Sequence, residues 1–160
     1  MDIHFSSVAF FPTEDEEKWR AEFSKATGGK DEMNLLQFMR CTACRSRFYS
    51  VKLFDTLDAR KNGVLSFEEY RRFKELLTYG DSEDLSCFAF TLFDTDRDGI
   101  ISRRELREGL EASVQESGDV MERVRVNKLV NVLMDLFTDG VKSDGITREK
   151  FLSVLQSYPD

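Results

Sequence analysis

Residues 94–105 read DTDRDGIISRRE. Asp94, Asp96 and Asp98 stand at positions 1, 3 and 5 of a twelve-residue segment that closes on Glu105. Alternating carboxylates of this kind suit a hard divalent cation, which takes roughly six to eight oxygen ligands. Ile100, at position 7, offers its backbone carbonyl, and Ser102, at position 9, a hydroxyl that can act through a water. Glu105 can give both of its oxygens at once. Gly99 sits where the chain must turn sharply and a side chain would obstruct it. The chemistry expected of this donor set is Ca2+ binding, and six constrained positions match where a merely solvated acidic turn needs none.

Residues 58–69, DARKNGVLSFEE, keep much of the same outline. Asp58, Asn62, Val64 (through its carbonyl), Ser66 and Glu69 occupy ligand positions, and Gly63 the turn. Arg60 stands at position 3, where a guanidinium has no lone pair to give and adds positive charge. This loop is expected to be a weak second calcium site or a silent one. Two further loops fit badly. In 26–37 the end positions are Ala26 and Gln37; in 139–150, Lys150 replaces the closing carboxylate. Neither is expected to bind.

These loops need helices to hold them. An aliphatic residue followed by a helix-capping residue recurs four times, as Met33–Asn34, Leu65–Ser66, Ile101–Ser102 and Ile146–Thr147. Each is followed by an apolar side chain on the next helix, Phe38, Tyr70, Leu106 or Phe151. Periodicity predicts helices over 14–26, 35–44, 46–57, 66–77, 81–93, 102–113, 120–137 and 147–157. Trp19, Phe23 and Ala26 share the apolar face of the first. Ser102 and Glu105 form a capping-box pair. The expected fold is all-α: four helix–loop–helix units in two paired lobes. Minimal two-residue β bridges should join Met33 to Leu65 and Ile101 to Ile146. The expected divisions are an apolar N-terminal segment (1–13), an N-lobe (14–79) and a C-lobe (80–160).

Composition narrows the function. With 41% hydrophobic residues, the chain has material for a core. A net charge of −7 disfavours nucleic acid and anionic lipid, and favours cations or a basic target segment. No run is long and apolar enough for a membrane helix, so no direct membrane insertion is expected. The N-terminus does not read as a signal peptide and lacks the glycine needed for myristoylation, so a cytoplasmic location is expected. Cys41, Cys44 and Cys87 cannot all pair with one another. The CTAC stretch at 41–44 lacks the strand context of a redox pair, and with His4 the cysteines make only a scattered zinc set. No catalytic constellation stands out, and an enzyme is not expected.

On these loop motifs the chain resembles the EF-hand superfamily, as a four-EF-hand calcium sensor. The stretches WRAEFSKATGG, FYSVKLFDTLDARKNGVLSFEEY and CFAFTLFDTDRDGIISRREL look most like the regulatory EF-hand domain of calcium-activated NADPH oxidases, with calcineurin-B-like subunits close behind. The chain departs from the oxidase type in having fewer competent loops and no catalytic portion. The resemblance implies a calcium-dependent regulator that controls a partner protein through an amphipathic or basic target helix, located in the cytoplasm or at the cytosolic face of a membrane. Candidate groove residues are Phe88, Leu92, Leu106, Leu110, Leu133, Phe137, Phe151 and Leu155. The N-terminal Ile3, Phe5, Val8, Phe10 and Phe11 are expected to pack on their own domain or on a partner. The rival reading is a constitutive structural subunit in which calcium only stabilises the C-lobe.

Overall fold

A computed structural model describes residues 13–42, 46–117, 123–140 and 145–157. Among them run α1 (Thr13–Thr27), β1 (Glu32–Met33), α2 (Leu35–Thr42), α3 (Arg47–Leu57), β2 (Leu65–Ser66) and α4 (Phe67–Tyr79). There follow α5 (Ser82–Phe93), β3 (Ile100–Ser102), α6 (Arg103–Ser117), α7 (Arg123–Thr138), β4 (Gly145–Thr147) and α8 (Arg148–Gln156). The all-α expectation holds. The N-terminal segment 1–12, Cys44 and residues 141–144 lie outside the described residues. So does the expectation that the N-terminal apolar segment packs on its own domain.

Helix starts are set by caps rather than by the first residue of the apolar pattern. The Ser46 hydroxyl accepts from the Tyr49 N–H at 3.0 Å, so α3 opens at Arg47. Ser66 caps α4 in a full capping box with Glu69, and Thr147 caps α8. The sequence expectation counted these caps as helix and is corrected by one residue at each. Helix α6 runs to Ser117, about a turn beyond the expected 113, because nothing in EASVQES breaks it.

Each pair of loops is tied by a short antiparallel ladder. Met33 pairs with Leu65 and Glu32 with Ser66. Ile101 pairs with Ile146, flanked by Ile100 with Thr147 and Ser102 with Gly145. The second ladder is thus three residues long on each side, one more than expected. Met33, Leu65, Ile101 and Ile146 are all buried, because a residue at the ladder centre points into the helices below.

The chain divides into two units, residues 1–84 and 85–160. In the first, Trp19 and Phe23 of α1 are buried along with Phe38, Phe54, Tyr70, Phe73 and Leu76, and Phe23 meets the Tyr70 ring at 5.5 Å. Phe38 meets the rings of Phe54 and Phe73 at centroid distances of 5.7 and 5.9 Å. Ala26 is only half-buried; Thr27 is the buried residue there, its hydroxyl donating to the Lys30 carbonyl at 2.8 Å. In the second unit the core is Phe90, Ile101, Leu106, Val126, Val130, Met134, Phe137, Ile146 and Phe151. Phe151 stacks on Phe137 at 5.5 Å and meets Phe90 edge-on at 5.6 Å. Among the described residues no helix is long and apolar enough to cross a membrane.

Candidate metal centre

Loop 94–105 joins α5 to α6. The Asp94 N–H continues the ladder of α5 onto the Phe90 carbonyl at 2.9 Å, which aims its side chain into the loop. Its two carboxylate oxygens accept the N–H groups of Asp98 and Gly99, both at 3.1 Å. Arg97 and Gly99 adopt left-handed backbone, with φ of 61° and 88°, which coils these N–H groups inward. Asp96 accepts from the Asp98 N–H at 3.3 Å, and Asp98 from the Ile100 N–H at 2.8 Å. One carboxylate oxygen from each of Asp94, Asp96 and Asp98 lies within 4.8 Å of the others. Asp94 is buried while the other two are exposed. Burial, and then the neighbouring charges of Asp98 and Glu105, push the Asp94 carboxyl up, against the opposing N–H of Gly99. Three carboxylate oxygens at this separation form a set that could hold a divalent cation.

Glu105 enters from the first turn of α6 and is 1% exposed. One oxygen accepts the Thr95 and Asp96 N–H groups at 2.7 and 3.3 Å. The other accepts the Ser102 N–H at 2.9 Å and its hydroxyl at 2.8 Å. In return the Ser102 oxygen accepts the Glu105 N–H at 3.3 Å, so the expected capping box is present. Burial alone would raise this carboxyl, but the donors from Ser102, Thr95 and Asp96 outweigh it and hold it below the ordinary glutamate range. Donor type and spacing therefore fit a calcium ion.

Loop 58–69 repeats this frame between α3 and α4. Asp58 accepts the Asn62 and Gly63 N–H groups at 3.2 and 2.7 Å. The Asn62 amide, oriented to satisfy its neighbours, donates to Asp58 and to the Val64 carbonyl at 3.2 and 2.8 Å. Glu69 accepts the N–H and hydroxyl of Ser66, each at 2.8 Å. Arg60 folds onto both oxygens of Glu69, Nε at 3.4 Å and a terminal nitrogen at 3.2 Å. Sequence reasoning saw Arg60 as a misplaced charge and missed this pairing; the signal was a cation and a carboxylate both facing one loop centre. Lys61 turns away instead, to the Asp55 carboxylate at 3.0 Å.

In loop 139–150 the Lys150 ammonium bonds Asp139, joining the first and last positions. In loop 26–37, Asn34 and Gln37 cap each other reciprocally at 2.9 and 3.0 Å. Most of the groove candidates are packed inward. Leu106, Phe137 and Phe151 belong to the core, and Leu110 and Leu133 pack against it. Phe88 is buried, Leu92 half-buried and Leu155 exposed. Cys41 lies 3.3 Å from the Tyr70 hydroxyl rather than in any cluster of metal ligands among the described residues.

Two family models match this chain, "EF-hand domain" over residues 88–116 and "EF hand" over 51–74. The chain is 30% identical over 129 residues to a calcium-binding mitochondrial carrier protein of Dictyostelium discoideum, with 66% of this chain and 16% of that protein covered. It is 28% identical over 116 residues to guanylyl cyclase-activating protein 1 of Lithobates pipiens, covering 65% and 57%. To a calcineurin subunit of Schizosaccharomyces pombe it is 29% identical over 102 residues, covering 62% and 59%. In each case the chain covers less than two thirds of the relative's own length. The matched segments are the α5–α6 unit, where three carboxylates converge, and the α3–α4 unit, where Arg60 lies on Glu69. With their helices joined through the described loops and both family models matching there, residues 51–74 and 88–116 are EF-hand units.

Proposed function

We propose that this chain is a calcium sensor with one strong site, loop 94–105, and that the response of residues 80–160 controls a partner protein. The observation that carries this reading is the convergence of the Asp94, Asp96 and Asp98 carboxylates within 4.8 Å of one another. Asp94, Asp96, Asp98, the Ile100 carbonyl, Ser102 and Glu105 would hold the ion, which supplies the doubly positive centre that these groups lack. To join such a set, Glu105 exchanges its bonds to the Thr95 and Asp96 N–H groups for the ion. Because Glu105 belongs to the first turn of α6, that exchange shifts the start of the helix relative to α5.

Phe88, Leu92, Leu106, Leu110, Leu133, Phe137, Phe151 and Leu155 form the apolar surface such a shift would open to a target helix. A basic, amphipathic target suits the net charge of −7. Two of the relatives bear names that speak of activating another protein or of being a subunit, which supports a protein partner in general. That the partner is an NADPH oxidase, and that the site of action is the cytosolic face of a membrane, rest on the sequence resemblance alone. The structural-subunit reading draws support from the three loops that lack a full ligand set, with Ala26, Arg60 and Lys150 at ligand positions.

The test is a calcium titration followed both by the Gly99 backbone amide and by a dye that binds exposed apolar surface. The sensor reading expects Gly99 to shift and dye fluorescence to rise together. A Gly99 shift with no dye response would leave calcium a structural ion, and an unresponsive Gly99 would refute the site.

A further inference from the structure

We infer that Arg60 is the resident cation of loop 58–69: its guanidinium fills the role at the loop centre that calcium is proposed to fill in 94–105, and so fixes α3 against α4 whether or not calcium is present. This rests on reading 94–105 as a calcium loop, because that loop supplies the frame for comparison.

The frames share most of their bonds, although the Thr95 N–H reaches Glu105 at 2.7 Å while the Ala59 N–H turns to the Leu57 carbonyl at 2.8 Å. Asp58 accepts two backbone N–H groups at 3.2 and 2.7 Å, where Asp94 accepts two at 3.1 Å. The position-3 N–H reaches the closing glutamate at 3.4 Å from Arg60 and 3.3 Å from Asp96. The serine hydroxyl meets the same glutamate at 2.8 Å in both. At position 5 Asn62 stands for Asp98, and the larger difference is the side chain at position 3. In one loop it brings a third carboxylate to the centre; in the other it brings a forked donor that lies on both oxygens of Glu69. A guanidinium matched to a carboxylate in this way satisfies the pair geometrically as well as electrostatically.

The charge arithmetic points the same way. Asp58 and Glu69 bring two negative charges and Arg60 one positive charge, whereas Asp94, Asp96, Asp98 and Glu105 bring four negative charges and no basic ligand. An entering calcium ion would have to expel Arg60 and would then find one carboxylate on the entering side. The guanidinium is half exposed, with 51% of the side chain accessible, so it can be replaced without rebuilding a core. Loop 139–150 uses the same device in simpler form: the Lys150 ammonium bonds Asp139 across the loop, joining α7 to α8.

It follows that loop 58–69 is a latent calcium site, restored by one substitution. The experiment counts calcium ions per chain by isothermal titration and follows the Gly63 and Gly99 amides by NMR. The full chain is compared with Arg60→Asp and with Arg60→Asp combined with Glu69→Gln. The expected result is no Gly63 response in the unaltered chain, one added ion with a Gly63 response in Arg60→Asp, and loss of that ion in the double variant. Arg60→Asn serves in the same way if Arg60→Asp does not fold. A fixed contact also predicts that Arg60→Ala lowers the urea midpoint in calcium-free buffer. Saturation of Gly63 alongside Gly99 in the unaltered chain, or a folded Arg60→Asp that gains no ion, overturns the inference. If Gly99 never responds but Arg60→Asp still gains an ion at Gly63, the reading of 94–105 fails while Arg60 keeps its role.

Discussion

Glu105, in the first turn of α6, accepts the backbone N–H of Thr95, the second residue after α5, at 2.7 Å. The two helices of this unit are therefore joined through a carboxylate that is also the strongest candidate ligand between them. That oxygen also accepts the Asp96 N–H at 3.3 Å, so a cation held by it would displace one of the two N–H groups. On the proposed sensor reading, this carboxylate is where a bound ion would act on α6.

Glu105→Gln is expected to remove strong calcium binding while leaving the helices intact. Losing a charged, hydrogen-bonded ligand costs about 3 kcal/mol, on the order of a hundredfold in affinity. The fold should survive because glutamine can still cap: Gln37 does so for Asn34 in loop 26–37. Isothermal titration with far-UV circular dichroism on the same sample decides it. Unchanged affinity would mean that the ion lies elsewhere.

Two glycines should respond to alanine for opposite reasons. Gly99 has φ of 88° and nothing within 4 Å of where a Cβ would stand, so Gly99→Ala costs about 1–2 kcal/mol through backbone strain alone. Its effect should fall mainly on calcium affinity. At Gly145 the backbone is unstrained, but a Cβ would lie 2.6 Å from the Ile101 carbonyl oxygen in the β3–β4 ladder. Gly145→Ala should cost roughly 1–3 kcal/mol of folding stability, with or without calcium. Urea unfolding in both buffers separates the two.

Phe151 supplies a core ring to both Phe90 and Phe137. Phe151→Ala should destabilise residues 85–160 by about 3–5 kcal/mol, the range for emptying a buried aromatic site. Amide hydrogen exchange of Val130 and Met134, which share that core, is the readout. Protection lost only near the chain terminus would contradict the assigned packing.

Glu22 accepts from the Lys74 ammonium at 2.9 Å and the Tyr70 hydroxyl at 3.1 Å. The Lys74 bond does most to hold its carboxyl below the ordinary glutamate range, against a smaller effect of burial and with help from Tyr70. A carboxyl that is more acidic folded than unfolded stabilises the fold fully above the ordinary glutamate range. That contribution is lost as pH falls through the lowered, folded value. Carbon-detected NMR titration should find the Glu22 midpoint low, and Lys74→Met should move it back up. A midpoint unmoved by Lys74→Met would show that the ammonium does not set it.

Much of the fold could be read in advance because it rests on local rules. The pairings of Met33 with Leu65 and Ile101 with Ile146 follow from one aliphatic residue placed before each cap. The convergence of Asp94, Asp96 and Asp98 follows from alternation along a loop that a glycine coils. What stayed hidden depended on where long side chains settle. Arg60 could have pointed to solvent, and only the position of the Glu69 oxygens turned it inward. The contacts of Tyr70 with Cys41 on one side and Glu22 on the other cross three helices, and no spacing along the chain announces them. The groove candidates were chosen by periodicity, which finds an apolar face but not the state in which that face is covered.

Reciprocal capping recurs at Asn34 and Gln37, at Ser66 and Glu69, and at Ser102 and Glu105. In all three, the last residue of the loop is also the third residue of the helix that follows, so one side chain serves two masters. Ion binding requires a carboxylate there, whereas starting the helix requires only an acceptor, and Gln37 meets the second demand without the first. Architecture and metal chemistry are consequently separable at this position. A loop can therefore lack the closing carboxylate and still start its helix, as 26–37 does, so the helical frame sets no requirement on which loops take an ion.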